Sequence, residues 1–325
     1  MRLLLTGSSG WLGRFLAPRL RAEGHVVTGL DVAPGADTDV IGSVADRALV
    51  ERTFGEQGIE AVIHAGALHK PDIVRYPEGA FWQVNVEGTR NLLEAAVAAG
   101  HDRFVFTSTT SLMITAAIRA GKSGGAREAA WLDEGFGPLQ PRNIYGVTKL
   151  EAERLCRRVH EESGIAVAVL RTGRFFPEDD DTHSFPSGPN IKASEFLNRR
   201  LTVEDAAEAH VVALAKAPAL GFETFLLSAT PPFAREECAE LLDDAAAVIA
   251  RHFPDTPDLY ARRGWTLPAS IDRVYDPSRA ERLMGFRCRT DFRVVLDALA
   301  VGGELPFAHD PAYVSPQESG GIRQC

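Results

Sequence analysis

Short apolar runs rich in Val, Ile, Leu and Phe alternate, over roughly the first half of the chain, with longer stretches whose apolar positions recur at helical spacing. Arg2 to Leu5 predicts a strand and Trp11 to Glu23 a helix. Val26 to Leu30 and Ala61 to His64 predict further strands, each followed by a helix, Ala45 to Gln57 and Ala80 to Ala99. Arg103 to Thr107 and Ile165 to Leu170 predict two more buried strands, with a helix from Tyr145 to Ser163 between them. Strands separated by 10 to 20 residues of helix, without hairpin turns, call for βαβ crossovers. The expected fold class is therefore α/β, a doubly wound parallel sheet.

Beyond Arg171 the rhythm changes. Residues 175–191 are irregular, carry Glu178-Asp179-Asp180-Asp181 with several Pro and Gly residues, and read as a loop over a site or a disordered lid. A helix Val203 to Ala217, a strand Thr224 to Ser228 and a helix Ala234 to His252 follow. Residues 1–172 are expected to form the core, with later segments returning to it. Residues 173–302 are expected to build mainly a small C-terminal substrate-binding lobe, and 303–325 a flexible tail. No internal repeat is present.

Composition narrows the function. The net charge of −9 and the scattered Lys and Arg residues exclude a phosphate-backbone footprint, so no nucleic-acid partner is expected. No apolar stretch reaches the ~18 residues of a membrane span. Glycines from Gly7 onward interrupt the N-terminal apolar run before a signal core forms, and a cytoplasmic location is expected. Cys156, Cys238, Cys288 and Cys325 are too far apart for a metal knuckle or redox pair, so reduced thiols and no metal site are expected.

Gly7-Ser8-Ser9-Gly10-Trp11-Leu12-Gly13 lies between the first strand and the first helix, where a dinucleotide pyrophosphate would rest. One glycine serves the tight turn, one the approach of the phosphates and one the close packing of the helix, whose N-terminus offers amide donors. The second strand leads to Asp31, 18 residues past Gly13. A carboxylate there accepts from adenosine ribose hydroxyls and repels a 2′-phosphate, which favours NAD over NADP.

Tyr145 and Lys149 stand four residues apart, on one helix face. A phenol with a pKa of about 10 needs a nearby cation to act as a base near neutrality. The strand ending Phe106-Thr107-Ser108-Thr109 precedes them, and its carboxyl-end hydroxyls face the ligand crevice of a parallel sheet.

Together these stretches resemble the extended short-chain dehydrogenases, a Rossmann family that includes nucleotide-sugar epimerases, dehydratases and uronate dehydrogenases. The matching stretches are Thr6 to Gly13, Asp31, Val62 to Ala67, Asn85 to Thr89, Phe106 to Thr109 and Asn143 to Glu153. The resemblance implies that Thr109 holds the substrate oxygen, Tyr145 moves the proton and Lys149 lowers its pKa. It also implies that Gly7, Ser9, Gly10, Trp11, Leu12, Gly13, Asp31, Ala65, Gly66, Ala67, Asn85, Thr107, Tyr145 and Lys149 contact the cofactor. Ser43 and Val44 resemble the adenine-contacting pair, with Ser in place of the usual Asp.

Thr110 and Ser111 follow Thr109 where the dehydratases carry an acidic pair, which disfavours dehydration. Only about 30 residues separate Arg171 from Thr202, short for a nucleotide-binding insert and closer to the uronate dehydrogenases. Thr110 and His69 are candidate substrate contacts, His69 and Lys70 being equally readable as a solvated loop. Arg174 reads either as a clamp on a carboxylate or phosphate or as an ion-pair partner of Glu178 to Asp181. Asp179 to Asp181 reads as solvated. Residues 110–127 form an insertion with no assigned role. The expected activity is NAD-dependent hydride transfer at a secondary alcohol carbon of a sugar-like small molecule. An epimerase with retained cofactor and a non-catalytic NAD-binding regulatory protein are the alternatives. The helices 80–99 and 145–163 resemble a pair through which family members dimerise, which implies a homodimer.

Overall fold

The computed structural model describes residues 1–178 and 186–316. Seven strands form one parallel sheet: β1 Arg2–Thr6, β2 Val26–Asp31, β3 Val40–Ile41, β4 Ala61–His64, β5 Arg103–Thr109, β7 Ala166–Thr172 and β8 Phe222–Leu227. Their order is β3-β2-β1-β4-β5-β7-β8, so the chain reverses direction across the sheet between β1 and β4. At such a reversal the loops at the carboxyl ends diverge and leave a crevice.

Leu3, Leu4 and Leu5 are all fully buried because helices cover both faces of the sheet. Leu3, Leu5, Ile63, Val105 and Leu170 face α1 (Trp11–Ala22) and α8 (Val203–Leu220). Leu4, Val62, Phe104, Phe106 and Val169 face α2 (Arg47–Gln57), α4 (Gly88–Ala98) and α6 (Ile144–Ser163). This alternation is the two-residue period of a strand read against two different helical layers.

Helix boundaries move where capping or turn geometry decides them. The helix expected from Ala45 begins at Arg47, because the Asp46 carboxylate accepts from the Leu49 amide at 3.0 Å. The single helix expected over 80–99 is instead α3 (Glu78–Phe81), a π-helical stretch Trp82–Glu87 and then α4. The helix expected from Ala234 begins at Cys238 as α9 (Cys238–His252), after a short 3₁₀ turn.

A second apolar cluster gathers the later segments. It joins α7 (Gly188–Glu195), α9, α10 (Thr256–Arg262) and α11 (Phe292–Ala300) through residues such as Leu241, Ile249, Tyr260, Phe292 and Leu296. A two-stranded parallel pair, β6 (Ala130–Leu132) with β9 (Arg273–Tyr275), was not anticipated, nor was the short α5 (Ala116–Ala120) inside the 110–127 insertion.

Of the stretch expected as a flexible tail, residues 303–316 are described and lie against the body. The Phe307 ring sits 5.0 Å from Phe196, and Tyr313 sits 5.3 Å from Trp11, because these aromatics have apolar surface to bury. Residues 317–325, with Cys325, and the acidic run Asp179 to Asp181 lie outside the described residues. Among the described residues no helix is long and apolar enough to cross a membrane, and Cys156, Cys238 and Cys288 are buried free thiols.

One buried ion pair fixes α6 on the sheet. The Glu153 carboxylate accepts from Ser108 Oγ of β5 at 2.6 Å and from Arg171 of β7 at 3.0 Å (Nε) and 2.7 Å (Nη2). Glu153→Ala leaves that guanidinium buried without its counter-charge and is expected to cost about 3–5 kcal/mol in urea unfolding. An unchanged midpoint would show that α6 is docked by its apolar face alone.

Candidate active site

The turn after β1 is shaped by two close approaches. Gly7 has φ +74°, and a Cβ there would lie 2.8 Å from the Gly66 amide nitrogen, so a side chain is excluded twice over. A Cβ on Gly13 would lie 2.2 Å from the Gly7 carbonyl, so α1 can begin directly on the turn only with glycine there. Gly10 is the N-cap of α1 and supplies no side-chain cap, which leaves first-turn amides of a 12-residue helix open to an anion. The Trp11 indole N–H is buried beside them with no hydrogen-bond partner among the described residues. Ser9 donates from its hydroxyl to the Ala33 carbonyl at 2.7 Å, and Leu12 is buried in the core.

Asp31 ends β2 opposite this turn. One carboxylate oxygen accepts from the Ser9 amide at 3.0 Å and the other from the Ala33 amide at 3.1 Å. Ser43 accepts from the Ala45 amide at 3.2 Å, while the Val44 side chain enters the core and its carbonyl takes the Asn91 amide at 3.0 Å.

Beneath the crevice runs a proton-ordered chain. The Gly66 amide donates to Thr6 Oγ1 at 3.0 Å, which itself meets His64 Nδ1 at 2.7 Å. His64 Nε2 meets Thr89 Oγ1 at 3.1 Å, and Thr89 donates to the Asn85 carbonyl at 2.7 Å. Because the Thr89 proton goes to that carbonyl, His64 must donate from Nε2 and accept at Nδ1. Asn85 closes the circuit: its side chain brackets the Leu68 backbone at 2.9 Å on both sides and donates to Thr148 of α6 at 3.0 Å.

At the carboxyl end of β5, Tyr145 and Lys149 are both buried. The Lys149 ammonium lies 3.9 Å from the Phe106 ring centre. Thr109 accepts from the Ser111 amide at 3.1 Å, and its hydroxyl lowers the Tyr145 pKa against the effect of burial. Thr110 turns toward β7 and donates to the Thr172 carbonyl at 3.3 Å. Thr107 donates to His210 Nε2 at 2.7 Å, the His210 Nδ1 proton being committed to the Ala206 carbonyl at 2.7 Å.

The chain was then compared with known proteins. Residues 3–225 match the model of the NAD dependent epimerase/dehydratase family, which is more than half of the chain. The chain belongs to this family. A similar curated relative is an L-arabinose 1-dehydrogenase (NAD(P)(+)) of Haloferax volcanii, 32% identical over 55% of this chain and 69% of that one. A UDP-glucose 4-epimerase of Corynebacterium glutamicum is 31% identical over 53% of this chain and 50% of that one. The chain spans 39% to 69% of the length of the first curated relatives it matches. Among solved structures, a short-chain dehydrogenase/reductase superfamily protein from Agrobacterium tumefaciens with bound NAD superposes with a TM-score of 0.65. Identity to it is 26%, over 93% of this chain and 96% of that chain.

The glycine turn, the uncapped α1 and the orphaned indole N–H fit the family's cofactor, NAD. Asp31 retains lone pairs for ribose hydroxyls beyond the two amides it already accepts. Burial raises its pKa, opposed by the amides of Ala33, Ser9 and Val32 and by Arg14.

The chemical centre is electrostatically poised by burial. Tyr145 is pushed up to about 12 by desolvation, pulled back by the Thr109 hydroxyl and pushed further by the Asp72 carboxylate. Lys149 is lowered to about 7 by desolvation, against the opposing pull of Cys156 and Glu153. In this family member the lysine charge rests on Phe106, and the groups acting on the phenol are Thr109 and Asp72.

Several groups escaped the sequence. Asp72 is buried, accepts from the His69 amide at 2.9 Å and lies 3.1 Å from His69 Nδ1. That fixes the His69 ring edge-on to Tyr145 at 6.5 Å and to Phe176 at 6.1 Å. An Asp three residues after a His was the available signal. Glu153 and His210 carried no signal beyond helical spacing. Arg174 pairs with Glu195 at 3.2 Å, a carboxylate 21 residues on that nothing in the local sequence marks as its partner.

Unfolded, Lys149 takes up its proton near 10.5; folded, near 7. Between those values the unfolded chain binds more protons, so stability rises with pH across that window. The NAD-free protein is expected to gain stability from pH 7 to about 8.5, with a slope approaching ~1.4 kcal/mol per pH unit from this group. Lys149→Met should flatten it; equal slopes for the two proteins in urea titrations would refute the assignment.

Proposed function

We propose that this family member oxidises a secondary alcohol carbon of a sugar-like small molecule, with Tyr145 taking the hydroxyl proton. The observation that carries this reading is the buried phenol beside the Thr109 hydroxyl at the carboxyl end of β5, with Lys149 one helical turn on. NAD, when bound, supplies the hydride acceptor.

Thr109 orients the substrate oxygen toward the phenol and stabilises the phenolate by donating to it. A phenol is protonated at neutral pH and burial raises the Tyr145 pKa further, so the base form depends on positive charge in the crevice. Lys149 provides a cation that the site can load or discharge near neutrality, since its own pKa is about 7. His69, held by Asp72, flanks the phenol and is the proposed substrate contact from the β4 side. Dehydration remains disfavoured, because Thr110 and Ser111 stand where an acidic pair is required.

A second reading, epimerisation with a retained cofactor, is favoured by one observation. Tyr313 lies across Trp11 and Arg14 at the start of α1, 5.3 Å and 5.6 Å away, next to the glycine turn. Steady NADH release with a sugar panel supports the dehydrogenase; NAD that survives desalting without net NADH supports the epimerase. Under either reading Tyr145→Phe should lower kcat by ~10²- to 10⁴-fold while NAD binding persists. Unchanged biological activity in that variant would instead support a regulatory NAD-binding protein.

The homodimer is also our reading. Val74, Trp82 and Val97 are exposed apolar residues on and next to the stretch from α3 to α4. Light scattering at micromolar concentration should give twice the chain mass, and Trp82→Arg should shift it to one; a monomeric wild type ends the idea.

A further inference from the structure

A cavity of about 320 Å³ opens on the flank of α6 that faces the edge strand β8. α6 lies over β5 and β7, and α4 lies on its other side over β4, so long side chains of α6 bridge the remaining gap to β8. The Arg157 guanidinium crosses it to sit over the Phe222 ring at 4.2 Å. Neither Tyr145, Lys149, Thr109 nor His69 lines the cavity, which is therefore distinct from the catalytic crevice. Its volume stands at the lower end of the ~300–1,000 Å³ of small-molecule sites.

The walls are cationic. Arg154, Arg157, Arg158 and Arg171 line the cavity, against two carboxylates, Glu153 and Glu161. Glu153 is already spent, since it takes Arg171 at 3.0 Å (Nε) and 2.7 Å (Nη2) and the Ser108 hydroxyl at 2.6 Å. Arg154 pairs with Glu151 along its own helix. Arg157 and Arg158 are exposed and form no ion pair or hydrogen bond among the described residues. The ring contact holds the Arg157 guanidinium in place and leaves its N–H donors unused.

The buried member carries the decisive observation. Arg171 is 6% exposed, and its Nη1 is buried with no hydrogen-bond partner among the described residues. Glu153 serves one side of the guanidinium fork and leaves the other unmet. A buried charged donor without a partner is costly, and an oxyanion in the cavity that Arg171 lines removes that cost. In a chain of net charge −9, four guanidiniums about one hollow reverse the sign of the surface locally. They surround a hollow instead of running along an open face, which suits a compact anion and not a nucleic-acid backbone.

We infer that this cavity binds a small organic anion carrying phosphate or carboxylate groups. Arg157 and Arg158 hold it from the exposed side and Arg171 from the buried side, with Leu150 and the Phe222 ring as apolar wall. The site is additional to the substrate crevice and needs nothing of the oxidation reading.

The test uses the full chain saturated with NAD, so that the dinucleotide turn is filled. Pyrophosphate and citrate are titrated calorimetrically, with sodium chloride at matched ionic strength as the screening control. One-to-one binding of at least one probe with a Kd below ~1 mM is expected, and the tighter probe separates phosphate from carboxylate chemistry. The double substitution Arg157→Gln with Arg158→Gln should weaken it at least ~10-fold. Arg157→Lys should retain part of the affinity, because an ammonium keeps the charge and loses the fork. Arg52→Gln, an equal change of charge at an exposed position of α2, should leave binding unchanged. Urea midpoints are measured alongside. If the double variant is unstable, Arg158→Gln alone keeps the Arg157–Phe222 contact and carries the same comparison. Binding of neither probe, binding untouched by the Arg157 and Arg158 substitutions, or an equal loss in Arg52→Gln overturns the site.

Discussion

The site hangs on the buried hydrogen-bond chain from the Gly66 amide through Thr6, His64 and Thr89 to Asn85, and from Asn85 to Thr148. Each link has one donor and one acceptor sense, so the chain works only with a neutral His64 in a single tautomer. Burial enforces this by driving the His64 pKa well below its ordinary value, with Lys149 adding to the effect. Breaking any link would leave buried polar groups unsatisfied on both sides, at ~1–3 kcal/mol for each orphan. The chain runs from β1 and β4, which shape the dinucleotide turn, to α6, which carries Tyr145 and Lys149. The distance between the cofactor turn and the phenol is therefore set by a fixed polar ladder rather than by loops. The π-helical stretch before α4 belongs to this arrangement, because it buries Asn85 facing both Leu68 and Thr148.

Around that ladder, charge is handled in two opposite ways. Among the described residues several buried charges are paired: Glu153 with Arg171, Asp72 with His69 and Arg75, Glu195 with its arginines. At the crevice, matching stops. Tyr145 and Lys149 are both pushed by burial toward their neutral forms. A crevice that holds its acid–base pair neutral responds strongly to an incoming charge, since charges in low dielectric interact most strongly. The same burial that costs stability at Lys149 makes its protonation sensitive to what binds nearby.

Legibility in the sequence followed the range of the interactions. Gly7 to Gly13, Asp31 and the Tyr145–Lys149 spacing were readable because each is a local pattern whose chemistry is complete within one turn or one helix face. The strands of the large sheet were readable because burial on both faces writes continuous apolar runs. What was not readable joins distant segments: Thr107 with His210, Ser108 and Arg171 with Glu153. β6 and β9 are three residues each and pair across more than half the length of the core, so neither carries a period of its own. The 110–127 insertion had no assignable role as a sequence; folded, it supplies α5 and with it Arg119. Asn85 and Thr107 were expected to touch the cofactor, yet their side chains are engaged with protein partners, which makes bracing the part of their role visible in the structure.

The balance between the two catalytic readings turns on how firmly residues 307–316 hold the cofactor turn closed. The contacts that lie on the turn itself are an aromatic pair, Tyr313 with Trp11, and a cation–π contact with Arg14. Such contacts are worth ~0.5–1.5 and ~0.5–1 kcal/mol. Further along, the Asp310 amide donates to the Pro177 carbonyl and the Ala308 amide to Glu204, each at 3.2 Å, and neither bears on the turn. A closure worth about 1–2.5 kcal/mol leaves the turn open roughly once in five to once in seventy. An epimerase that never releases its cofactor needs a far tighter seal, whereas a dehydrogenase must exchange NADH for NAD at every turnover. A strap this weak orders the turn without locking it, which is what the exchange of a diffusible cofactor would require.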